Sequence, residues 1–156
     1  MAKRELAITN RSEALLQPEE AARGLLRALE ATGSFPIPDG ELSIVFLGDP
    51  EIARIHENFM GDPAPTDVIT FPGDPDMDFA GEILVSVDHA ARHATEHGGS
   101  FSRELSLYLM HGWLHLAGYD DREEDDRARM RGAESEAIKK LESTGTLDGF
   151  QLHSFS

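Results

Sequence analysis

The chain has no cysteine among its 156 residues. That excludes a disulfide framework and any thiolate-held metal. A long apolar run is missing as well. No stretch approaches the ~20 residues of a membrane span, and Leu6-Ala7-Ile8, the apolar part of MAKRELAITN, is too short for a signal peptide. A cytoplasmic protein with no membrane partner is the expectation. Positive charge is scarce: 14 lysines and arginines face 29 acidic side chains, for a formal net charge of −15. Such a surface repels polyanions at long range and argues against DNA. Any nucleic-acid substrate must be held by a local basic or metal-centred cleft that outweighs the distant acidic surface.

What is present is 40% hydrophobic, the balance of an ordinary globular domain, and the length suits one domain with a substantial core. Residues 6–9 form a candidate strand. Pro18 opens a helix with Ala22, Leu25, Leu26 and Leu29 at helical spacing, and Gly33 ends it. SFPIPDG is a connector. Leu42, Ile44 and Phe46 alternate with Ser43 and Val45 as in a strand. Asp49 and Pro50 then suit the cap and first turn of a helix carrying Ile52, Ile55 and Phe59. Residues 66–71 are rich in β-formers and are expected to stop at Pro72. An acidic loop separates them from a strand at 81–87. Helices follow over 88–97, from a Ser100 cap to about 117, and over roughly 123–141. The acids of DDREEDD (120–126) suit the solvated opening of that last helix, where the dipole favours them; the spacing is not that of an EF-hand. The pattern indicates an α/β (α+β) fold: a single domain with a small mixed four-stranded sheet, four to five helices and a buried central helix. The domain is expected to span 1–142, with 143–156 as a loosely held tail.

The segment HGWLHLAGYDD, residues 111–121, carries the chemistry. From Leu105 to Ala117 the helix is apolar nearly all round, as in the middle of a domain. Four residues along a helix rise roughly 6 Å and return to nearly the same face, so His111 and His115 can reach one cation. Gly118 supplies a left-handed residue that turns the chain back, which gives Asp121 the right offset to join them. Two histidines and a carboxylate leave a fourth position on zinc open, the pattern of a catalytic site. The alternative, two core histidines bonded to main-chain carbonyls, fits one such histidine better than the pair with Gly118 and Asp121. Asp120 is expected to cap the next helix or to hold the second nitrogen of a histidine. His89, His93 and His97 also recur every four residues, but among alanines, Arg92 and Glu96 they read as a half-exposed helix face.

HGWLHLAGYDD resembles the signature of the YbeY family of bacterial endoribonucleases, H-G-x-L-H-L-x-G-Y-D-H in its usual form. The likeness continues in PTDVITFP (65–72), similar to the family's T-D-V-L-S-F-P, in GEILVSV (81–87), and in Met130 and Glu134 of the last helix. It spans nearly the whole chain. The resemblance implies an α/β domain with one zinc ion per chain, other divalent metals being alternatives, and metal-dependent cleavage of single-stranded RNA. It further implies a role in ribosomal RNA maturation and ribosome quality control. The partners it implies are ribosomal RNA, the small ribosomal subunit and a ribosome-associated GTPase. Thr66 and Asp67 resemble cleft-edge residues of the family, although alone they read as the polar opening of a strand.

Two positions depart from the family pattern. Asp121 stands where the family has its third histidine; a carboxylate is an acceptable zinc ligand but lowers the net charge of the site by one. Met60 stands where an arginine usually follows the aromatic at the place of Phe59, and a thioether cannot make the bidentate phosphate contact of a guanidinium. Arg103 is a candidate replacement. These departures keep a second reading open, a ribosome-assembly or binding factor with weak or vestigial nuclease activity. A peptide hydrolase is disfavoured, because Gly112 occupies the position of the glutamate that a zinc protease needs. A phosphodiester substrate has less need of that base, since a bound metal acidifies water and neutralises phosphate charge. Gly112 itself has two explanations of equal weight: space for a phosphate beside His111, or close packing of the helix on the sheet.

Overall fold

The computed structural model describes residues 4–64 and 66–153. Residues 1–3, Pro65 of the PTDVITFP segment and the last three residues of the tail lie outside the described residues. Three strands run parallel, β1 (Leu6–Asn10), β3 (Glu41–Leu47) and β5 (Phe79–Ser86), and β4 (Val68–Asp74) lies antiparallel to β5. The order in the sheet is β1-β3-β5-β4. The parallel pairs require crossovers, which α1 (Glu19–Ala31) and α2 (Asp49–Met60) supply. Three more helices follow β5: α3 (Val87–His97), α4 (Phe101–Leu116) and α5 (Glu124–Leu141). The expected mixed α/β fold is thus present, with five α-helices among the described residues.

Alternation in the strands sets the two faces. Leu42, Ile44 and Phe46 of β3 and Ile83 and Val85 of β5 point into the main core, where they meet Leu25, Leu26 and Leu29 of α1 and Leu105, Leu109 and Trp113 of α4. The opposite face carries a smaller cluster, Leu47, Ile52, Ile69 and Leu84, under α2. Helix α4 packs against β4, β5, α3 and α5, so the apolar helix is the central one. The Trp113 indole N–H donates to the Phe35 carbonyl at 2.8 Å, which ties the SFPIPDG connector to α4.

Several local expectations are corrected. The cap of α2 is Gly48, and Asp49 sits inside the helix; its N–H is satisfied by the Asp88 carboxylate of α3 at 2.8 Å. Asp49 instead accepts from the Ser86 hydroxyl and pairs with Arg92. Strand β4 does not stop at Pro72 but runs to Asp74. A proline, which has no N–H to give a ladder, is tolerated because β4 is an edge strand. The acidic loop contains a single 3-10 turn, Pro75–Met77. The tail, expected to be loosely held, is anchored through residue 153. Leu147 and Phe150 are buried, Phe150 edge-on to Phe46. Gln151–Leu152 forms a short strand β6 against β2 (Leu15–Leu16). The Ser102 hydroxyl donates to the Leu147 carbonyl and accepts from the Phe150 N–H.

Candidate metal centre

Helix α4 is capped by Ser100, whose hydroxyl accepts from the Arg103 N–H, and ends in a Schellman turn. The Tyr119 N–H reaches back to the Leu114 carbonyl at 3.0 Å and the Gly118 N–H to the His115 carbonyl at 3.1 Å, with Gly118 at φ +104°. This turn brings residues 120 and 121 back over the last turn of the helix. His111 and His115 face away from the core, their side chains 22% and 26% exposed.

The donor atoms converge. His111 Nε2 and His115 Nε2 are 3.1 Å apart, and Asp121 Oδ2 lies 3.3 Å from the first and 3.4 Å from the second. Zinc bonds of ~2.0–2.1 Å in tetrahedral geometry give ligand–ligand edges of about 3.3–3.4 Å. The triangle therefore has the dimensions of one face of such a site. Among the described residues this is the group of three or more donors close enough to share one ion. The chemistry fits as well, with two imidazoles and one carboxylate around one point.

Glu134 of α5 completes the orientation of His111. Its Oε1 lies 2.9 Å from His111 Nδ1, so a proton on Nδ1 leaves the Nε2 lone pair aimed at the other two donors. Burial alone pushes the His111 pKa down. The hydrogen bond and charge of Glu134, with Asp121 and Asp67, outweigh that and leave it raised. Asp120, expected to cap a helix or hold a histidine, does neither. Its carboxylate accepts from the Asp121 N–H and pairs with Arg122, and these contacts hold its pKa down at about 2. It stabilises the turn that presents Asp121. The sequence marked Glu134 through the family likeness of the last helix, but its partner could not be read there.

The centre opens into a cleft of about 800 Å³ between the end of α4 and the start of β4. Thr66, Asp67 and Thr70 line one wall with Met60 and His56, while His111, His115, Asp121 and Arg122 line the other. The cleft-edge residues are thus beside the centre. Asp67 accepts from the Val68 N–H at 2.8 Å and from the Thr66 hydroxyl at 3.3 Å. Arg103 is not in this cleft; it is paired with Glu142 and Asp148 near the other end of α4. The second histidine set does not converge. His89 Nδ1 lies 2.8 Å from the Tyr108 hydroxyl, His93 Nδ1 3.1 Å from Glu104, and His97 Nδ1 3.0 Å from the His93 carbonyl, with the rings stacked in a row.

Fold and site together define a small α/β protein with a His-His-Asp centre in an open cleft. The family model described as "Endoribonuclease YbeY" matches residues 7–142. The chain is 37% identical over 149 residues to the endoribonuclease YbeY of Geobacter sulfurreducens, covering 90% of this chain and 97% of that one. It is 36% identical over 125 residues to that of Heliobacterium modesticaldum, covering 71% and 75%. The solution structure of TM1509 from Thermotoga maritima matches with a TM-score of 0.60 at 26% identity, over 92% of this chain and 96% of that one. The chain belongs to the endoribonuclease YbeY family, a family of hydrolases.

Proposed function

We propose that the protein is a zinc-dependent endoribonuclease that cuts single-stranded RNA, acting in the cytoplasm in ribosomal RNA maturation and ribosome quality control. Ribosomal RNA, the small ribosomal subunit and a ribosome-associated GTPase are its proposed partners. The observation that carries the proposal is the convergence of His111, His115 and Asp121 at tetrahedral-edge distances in an open cleft of a chain that belongs to this family. When bound there, a divalent cation supplies acidified water and neutralises phosphodiester charge.

The chain's own residues set the rest. Glu134 fixes the His111 tautomer. Asp120 and Arg122 shape the turn that presents Asp121. Asp67 is tied by its own backbone contacts into the wall opposite, where its charge favours a cation over a bare phosphate. Purified protein should cut an unstructured RNA, and chelator or His115→Ala should each abolish cutting. Cutting that survives both would overturn the proposal.

One observation favours the second reading, a ribosome-assembly or binding factor with weak nuclease activity. Among the described residues the one lysine or arginine lining the cleft is Arg122, and it is held by Asp120 at 2.7 and 2.9 Å. That reading predicts co-sedimentation with small ribosomal subunits unchanged in His111→Ala, together with no detectable cleavage by the native protein.

A further inference from the structure

Phe59 and Met60 close α2 with 68% and 64% of their surfaces exposed. Single large apolar side chains on a surface are ordinary. These two are adjacent, however, and Met60 is part of the wall of the cleft that holds the metal centre. Phe59 is also held in place. Its ring meets Phe71 of β4 edge-on, with centroids 5.0 Å apart and 65° between the planes. Gly61, in the left-handed conformation, ends the helix with its N–H on the Glu57 carbonyl, and His56 Nδ1 lies 2.8 Å from the Ala64 carbonyl in the loop that follows. A braced aromatic ring with most of its surface in water therefore stands beside Met60 of the cleft wall, on the α2 side of β4.

We propose that Phe59, supported by Phe71, is a stacking platform for an unpaired base of the RNA substrate, with the polarisable Met60 thioether extending the contact. This rests on the endoribonuclease reading above and adds the feature of the strand that is recognised. The charge of the protein is what requires it. The chain carries −15, Arg122 is engaged by Asp120, and Asp67 and Asp121 add negative charge to the cleft walls. Phosphate contacts alone would bind a strand weakly, so affinity beyond the metal has to come from non-ionic contact. Every base offers a π-face, and stacking on an aromatic side chain strengthens binding by roughly 5- to 150-fold per base. Bases within a duplex are already stacked on each other, so the platform selects unpaired RNA.

The test uses the full chain with Zn²⁺ and a short, labelled, single-stranded 2′-O-methyl oligoribonucleotide that resists cleavage, with binding read by fluorescence anisotropy. Phe59→Ala should weaken binding roughly tenfold, Phe59→Leu should weaken it equally, and Phe59→Tyr should stay within about twofold of the native protein. An abasic nucleotide, moved along the strand, should at one position cost the native protein the same factor and cost Phe59→Ala nothing more. That arm needs no stability comparison, and Phe59 is exposed, so folding is not at stake. Native-like binding by Phe59→Ala or Phe59→Leu would overturn the proposal. So would an abasic penalty equal in the native protein and Phe59→Ala, and the patch would then be an apolar docking face for a protein. Cleavage of unmodified RNA, with and without chelator, is scored separately. If cutting is metal-dependent but binding ignores Phe59, only the platform fails; if there is no cutting, the endoribonuclease reading fails, whatever the stacking arm shows.

Discussion

A methyl group placed on Gly112 would stand 2.5 Å from Ile83 Cγ2 and 3.0 and 3.1 Å from Cγ1 and Cδ1 of the same side chain. The glycine therefore exists for packing of α4 on β5, and the explanation as free space for a phosphate beside His111 is corrected: the position faces the sheet. Gly112→Ala should destabilise the fold by ~1–3 kcal/mol despite the ~1 kcal/mol that alanine gains over glycine in a helix. In an Ile83→Ala background that cost should vanish or reverse; denaturant titrations of the four proteins measure the coupling, and strict additivity would contradict this account. At the same scale, Glu134→Ala should weaken metal binding by ~10–100-fold with the fold intact, because His111 loses the acceptor that orients it. Competition with a zinc chelator reads this directly, and unchanged affinity would show that Glu134 does not orient the ligand. The histidine pair and Asp121 were legible because helical spacing and a glycine turn act over a few residues. The Glu134 contact was not, since it depends on how α5 lies against α4, which no local pattern encodes.

Among the elements, the anchored tail shows most clearly where periodicity fails as a signal. Leu147 and Phe150 sit in one short irregular turn with no repeat to mark them, and their partners, Phe46 and Ser102, are far away in sequence. Phe150→Ala should cost ~3–5 kcal/mol, and a chain ending at residue 142 should melt well below the full one. A tail that contributes nothing would leave both melting temperatures unchanged. The long elements behaved differently: α1 and β3 bury the residues their spacing selected, and β5 and α4 are buried along most of their length. Their ends were less legible. Gly48 rather than Asp49 caps α2 because the neighbouring helix supplies the missing acceptor through Asp88, and β4 passes through Pro72 because, among the described residues, no strand pairs on its outer side.

For the whole molecule, charge and cleft pull in opposite directions. A net charge of −15 with, among the described residues, a single engaged arginine in the cleft predicts that binding of single-stranded RNA falls only shallowly with salt. The slope of log K against log salt should be about −1 or less steep, since each neutralised phosphate contributes ~−0.7. A slope several times steeper would place a basic surface elsewhere on the protein in contact with RNA. The central claim is that His111, His115 and Asp121 together hold one divalent cation, and metal content measured by mass spectrometry tests it most directly. The native protein should carry about one zinc per chain, while His115→Ala and Asp121→Ala, folded as judged by circular dichroism, should carry far less. A native protein that takes up no divalent metal, or folded variants that retain the full complement, would contradict it.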